Sequence, residues 1–175
     1  MNVNRILGIG ATVAVLLSLP FFGRNWNRLM HIVGAVLFLG NIIVTAVWAS
    51  LGRKSREPEV IRFLVRGILL TDAVFTLPAV ILLALNGGIL GTVWFKAGAP
   101  WIIVSVLLFI VTGVLWGAVL APIQKRLGRL VDAMPPRGPI PPEYDVLMAK
   151  WFRWGGIATL VPLVVLVLMV LKPSF

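Results

Sequence analysis

The chain is expected to be all-α: a polytopic transmembrane helical bundle of five helices, with the N-terminus cytoplasmic and the C-terminus outside. Three observations predict this. Of 175 residues, 59% are hydrophobic and 13% are charged, whereas soluble domains carry about a quarter charged residues. The apolar residues fall into blocks of the length that crosses a hydrocarbon core, about 20 helical residues for roughly 30 Å. The charges gather between those blocks, and most of the Lys and Arg residues fall in every second connection. The blocks leave no room for a separate soluble domain, so residues 1–175 read as one integral membrane domain. There are no cysteines, which excludes disulfides, thiol redox chemistry and cysteine-ligated metal. The formal charge of +10 is explained by loop placement and does not call for nucleic acid.

The first helix is expected over about 6–22, between Arg5 and Arg24. Its end, LSLPFFGRN, lacks a small-x-small cleavage site, so the segment reads as retained. Ser18 and Pro20 mark a fray or kink. The second helix, about 26–51, reads NWNRLMHIVGAVLFLGNIIVTAVWASL from Asn25 and carries the sole histidine, His31. Asn25 or Asn27 is expected to cap it. The third, about 59–85, follows Pro58. Arg62 and Arg66 in its first turns can snorkel to headgroups, Pro78 should kink it, and Asn86-Gly87-Gly88 should end it. The fourth, about 100–127, has Trp94 and Trp101 as interfacial anchors. Its Gly113/Gly117/Ala121 stripe is expected to pack closely inside the bundle, and Pro122 to kink it. The proline-rich connection from Arg129 to Tyr144 should be a short stiff loop. The fifth helix, about 148–171, enters through Lys150, Trp151, Arg153 and Trp154 and contains Pro162.

Orientation follows from the loops. Arg5, the 53–66 connection and the 122–153 connection share one side and hold 12 of the 16 Lys and Arg residues. Arg24, Arg28, Lys96 and Lys172 hold the other. Short basic loops stay in the cytoplasm. Anionic headgroups are the expected partners of that side, with lipids around the spans.

The polar residues inside the spans are the candidate site. His31, Gly34, Phe38, Asn41, Thr45 and Trp48 recur at steps of three and four, on one broad face. Asn41 lies roughly 15 Å deeper than His31, at 1.5 Å per residue. Asp72 enters from the opposite side to a similar depth, with Thr76 one turn on. A charged aspartate facing lipid is costly, so Asp72 should face inward against Asn41. The pair reads either as a proton- or substrate-binding centre or as an interhelical clamp. Neutral imidazole can hold haem iron or another metal, so His31 is the candidate cofactor ligand; the alternative is an interfacial hydrogen-bonded histidine. Arg66 offers a rigid fork to an anion or carboxylate, or snorkels. Trp48 and Trp116 read as interior-facing, whereas the other tryptophans read as interfacial belts. No nucleotide loop, HExxH or GxSxG occurs.

The segments LMHIVGAVLFLGN, RGILLTDAVFTLPAVILLALNGG, LWGAVLAPIQKRL and KWFRWGG resemble the DUF2269 family of bacterial integral membrane proteins over roughly 26–172. The likeness implies a multi-pass protein of the bacterial inner membrane, with the first helix added to a four-helix core, and implies no activity. More distantly the arrangement is similar to HemJ-type protoporphyrinogen oxidases and CopD-type copper-resistance proteins. That resemblance implies haem b on His31 in a membrane oxidoreductase. The scarcity of soft ligands weighs against copper. The leading function is thus an integral membrane protein with a polar centre for a cofactor or small molecule. Haem oxidoreductase and small transporter or accessory subunit are the alternatives. The charge pattern makes a direct prediction: alkaline phosphatase fused to the C-terminus is active and a fluorescent protein fused there is dark, whereas the reverse pattern inverts the topology.

Overall fold

The computed structural model describes residues 3–19 and 22–174, so Pro20 lies outside the described residues. The architecture is helical throughout. Helix α1 is Val3–Leu17, α2 is Arg24–Ser55 and α3 is Pro58–Thr71. A π-helical turn, Asp72–Thr76, joins α3 to α4, Leu77–Lys96. A second, Leu115–Leu120, joins α5, Pro100–Val114, to α6, Ala121–Ala133. Helix α7 is Pro142–Leu171.

The long helices explain themselves through solvent. Inside a bilayer each backbone group must be satisfied within the segment, and a continuous helix does this. Among the described residues four stretches are long and apolar enough to cross: Arg24–Ser55, Pro58–Lys96, Pro100–Ala133 and Pro142–Leu171. Helix α1, at 15 residues, extends only about 22 Å. The chain is thus a multi-pass bundle with four apolar spans and a shorter apolar helix. Its polarity is inverted relative to a water-soluble protein. Val36, Phe63, Leu160 and Val170 are 65–70% exposed, whereas Asn27, Asn86 and Ser105 are at most 1% exposed.

Several boundaries differ from expectation. Asn86-Gly87-Gly88 does not end the third segment; the helix runs on to Lys96. In water this triplet would favour a stop, but here the Asn86 side chain turns inward and the continuing helix keeps its own backbone paired. The break comes at Gly98, with φ 67°. Asn27 is no cap either, since α2 already begins at Arg24. The proline-rich connection shrinks to 134–141, because α6 and α7 extend into it. Gly113 and Gly117 have no atom within 4 Å of an added Cβ, so the close helix approach expected at these two glycines is not seen. Trp48 faces outward at 58% exposure.

Pro78 and Pro122, expected to kink the chain, each follow a π turn, whereas Pro162, another expected kink, lies within the α-helix α7. Leu77 N–H reaches back five residues to Asp72 O, and Ala121 N–H likewise to Trp116 O. Pro78 and Pro122 follow immediately. Proline lacks the N–H and its ring collides with the carbonyl four residues back, so the preceding turn widens.

By internal contact the chain divides into two units. One comprises Met1–Ile42, Leu70–Ser105 and Val167–Phe175. Ala14, Met30 and Leu82 form its apolar core, with Leu17, Trp26, Val33 and Ile81 around them. Lys172 lies 5.3 Å and 5.8 Å from the ring centroids of Trp94 and Trp101, a cation–π cage at the end of α7.

The other comprises Ile43–Leu69 and Val106–Leu166. Its core joins Ala49, Ile61, Val65, Leu127, Val131, Tyr144, Met148 and Trp151. Charged groups bind its segments together. Arg62, expected to snorkel, instead donates Nε to Val131 O at 3.0 Å and Nη2 to Met134 O. It thereby satisfies carbonyls left free at the end of α6. Arg56, whose left-handed φ of 55° ends α2, meets Asp145 at 2.8 Å. That hydrogen bond raises its guanidinium above the ordinary value. Arg126 meets Glu143 at 3.3 Å.

Arg62→Ala removes two charge-assisted bonds to partly buried carbonyls. It is expected to cost about 1.5–3 kcal/mol and to speed proteolysis within 134–141. Unchanged thermal stability in detergent would contradict this capping role.

Candidate functional site

The candidate site is built on one antiparallel seam between α2 and the segment from Asp72 through α4. On α2 the seam positions are Asn27, His31, Gly34, Phe38 and Asn41. On the facing segment they are Asp72, Thr76, Ala79, Leu83 and Asn86. Both runs alternate steps of four and three, the spacing that keeps a stripe facing one partner.

At one end Asn27 Nδ2 donates to Asn86 Oδ1 at 2.8 Å. Asn86 Nδ2 donates to Ser18 Oγ at 2.8 Å and to Leu82 O at 2.9 Å. Ser18 Oγ in turn donates to Ala14 O at 2.7 Å. The end of α1 is thereby tied to α2 and α4, and Gly10 brings α1 against Pro78.

One turn further on, the His31 ring lies against Gly87. A Cβ at residue 87 would stand 2.8 Å from His31 Cε1 and 3.2 Å from Nδ1. The ring also faces the Leu83 carbonyl. His31 Nδ1 is buried without a hydrogen-bond partner. The next level is apolar and closely packed. A Cβ on Gly34 would lie 3.1 Å from Ala79 O and from Leu82 Cβ, so the backbones are in near contact, and Phe38 is 5% exposed.

The far end is polar again. Asn41 Nδ2 donates to Asp72 Oδ1 at 3.0 Å and to Thr76 Oγ1 at 2.8 Å. Thr76 Oγ1 donates to the same Asp72 Oδ1 at 2.8 Å. The π turn holds the carboxyl and hydroxyl on one side while Pro78 follows. Asn41 and Thr76 are buried, at 9% and 3% exposure, and Asp72 is half-buried. Asp72 is therefore the least buried residue of the triad.

The expected residues thus separate. Asn41, Asp72 and Thr76 meet. His31 sits at another level, beyond Gly34 and Phe38. Arg66 is elsewhere, its guanidinium on Asp132 at 2.9 Å and 3.0 Å. Sequence reasoning missed the Ser18–Asn27–Asn86 network, although Asn27 precedes His31 by one turn on the same face.

These residues do not fit a haem. An iron at His31 requires a free ring nitrogen with a porphyrin-wide gap before it. Nδ1 is enclosed, the ring is pressed on Gly87 and faces Leu83 O, and Gly34 brings the helices together a turn away. Among the described residues no three His, Asp or Glu side chains group as a metal site.

Gly87→Ala tests the His31 contact by a change of sign. With His31 present it should destabilise by about 1–2 kcal/mol through overpacking. In a His31→Ala background the gain in helix propensity, about 0.8–1 kcal/mol, should prevail. Reversible unfolding of the four proteins reads this cycle directly, and additive effects would disprove the contact.

Residues 26–173 match the family model described as "Predicted integral membrane protein (DUF2269)". No curated protein and no solved structure matches the chain. The matched region begins beyond α1 and includes both sides of the α2–α4 seam. The chain belongs to the DUF2269 family and is a bacterial multi-pass protein of the inner membrane.

Proposed function

We propose that Asn41, Asp72 and Thr76 form a binding centre for a proton or a small molecule, with Asp72 as its reactive member. The protein carrying it crosses the inner membrane five times with its N-terminus in the cytoplasm. The basic connections then lie on the cytoplasmic side, against anionic headgroups. Helix α1, with Arg5 in its first turn and Arg24 opening the next helix, crosses with local thinning of the bilayer. Arg66 serves this side as an anion contact held by Asp132.

The observation that carries the reading is the asymmetry of the triad. A purely structural clamp is expected to bury all of its members alike. Here Asn41 and Thr76 are buried, and Asp72, whose carboxyl they orient, is only partly buried. Polar groups placed this way inside a membrane segment usually mark a path or binding site. Two donors converge on Asp72 Oδ1, which fixes the carboxyl's direction. The enclosed His31 ring gives no comparable opening, so a small transporter or accessory role is favoured over haem chemistry.

Treatment of membranes with a hydrophobic carbodiimide tests the centre, because the reagent attacks protonated carboxyls from the apolar phase. Label should appear on the peptide containing Asp72, increase as pH falls, and vanish in Asp72→Asn. Asparagine keeps a carbonyl acceptor for Asn41 and Thr76, so its stability should change by about 1 kcal/mol or less. A folded protein whose Asp72 is unlabelled at every pH would reduce the triad to an interhelical clamp.

A further inference from the structure

We propose that the cytoplasmic half of α7 carries a defined seat for an anionic phospholipid. Its phosphate lies between Lys150 and Arg153, and an acyl chain runs along Ile157, Leu160 and Val164. This deepens the headgroup reading above by naming the residues that hold the lipid, and its side of the membrane rests on that reading.

The positions follow one another by steps of three and four, so they share one side of the helix. All five are exposed, with Ile157 at 41%, Leu160 at 65% and Val164 at 50%. The opposite side is committed inward through Leu147, Met148, Trp151 and Ala158. From Arg153 to Val164 the stripe rises roughly 16 Å at 1.5 Å per residue, a length suited to an acyl chain. Trp154, half-buried at the same level as Arg153, places an indole at the boundary between charge and hydrocarbon, where amphipathic rings are favoured.

Charge complementarity selects the occupant. The nearest acids in sequence are engaged: Asp145 by Arg56 and Arg53, and Glu143 by Arg126. Among the described residues Lys150 and Arg153 have neither an ion-pair nor a hydrogen-bond partner. Two cations one turn apart, above a bare apolar stripe, match a phosphate attached to an acyl chain. A zwitterionic lipid would fill the stripe while offering the cations no net charge. Free phosphate would answer the cations and leave the stripe uncovered.

Native mass spectrometry of the detergent-purified protein with added phosphatidylglycerol or phosphatidylcholine tests the seat. Phosphatidylglycerol should bind more tightly, and Lys150→Gln/Arg153→Gln should weaken the tightest site about tenfold or more, at roughly 1 kcal/mol per cation near the surface. Lys150→Arg/Arg153→Lys should retain it, which separates charge from folding. Lys125→Gln/Arg129→Gln, which removes equal charge from α6, should leave it unchanged. Equal losses in both neutralised pairs, or no loss at Lys150 and Arg153, would overturn the seat. Displacement by millimolar inorganic phosphate would overturn the lipid as occupant. Labelling of a Lys150→Cys protein by an impermeant thiol reagent from outside the cell would refute the orientation alone, leaving the lipid measurements to stand.

Discussion

The α2–α4 seam is the constraint on which the described site depends. It has hydrogen bonds at both ends and backbone contact in the middle. The Asn27–Asn86 bond and the Asn41–Asp72–Thr76 triad set where the helices meet. Gly34 lets them approach. Lipid supplies little hydrophobic drive for helix association, so close packing and interhelical hydrogen bonds must supply it. Each such bond averages only about 0.6 kcal/mol, and their joint effect is to define register. A slip of one residue would put Asn41 and Asn86 against apolar neighbours and leave buried amides without partners.

Register also decides what the polar groups can do. His31 and Asn41 occupy one helix face, which invites reading them as parts of one site. Gly34 and Phe38 keep them apart with a packed, apolar layer. That layer interrupts the polar groups of the face. The histidine belongs with Gly87 and Leu83, while the carboxyl belongs with Asn41 and Thr76. The π turn adds to this separation. It places Asp72 and Thr76 together just before Pro78, at a point where an ordinary α-helix would meet the proline ring.

In the second unit, charge does the work that amides do in the first. Arg62 binds carbonyls at the end of α6, while Arg56 and Arg66 hold acids on α7 and α6. The surface pairs are weak individually because both partners are exposed. Arg62 differs, since its targets are backbone groups at a helix end that the spans cannot satisfy internally. Basic residues in these connections therefore have two fates. Some hold the chain's own elements, and others face outward with no internal partner.

Membrane class, the apolar spans and the depth match of Asn41 with Asp72 were determined by the sequence alone. Hydropathy and helical rise are local quantities, and both can be counted along a chain. The meaning of Asn27 and Asn86 could not be counted in that way. Beside Trp26 and Arg28 an asparagine resembles a cap, and before two glycines it resembles a stop. The same amides become buried bonding groups when the facing helix supplies a partner 59 residues away. Gly87 shows the same limit: it reads as a breaker until the His31 ring occupies the space its missing Cβ leaves. Tertiary structure decided these cases because an amide's role depends on whether water or another side chain satisfies it. That choice is made between helices.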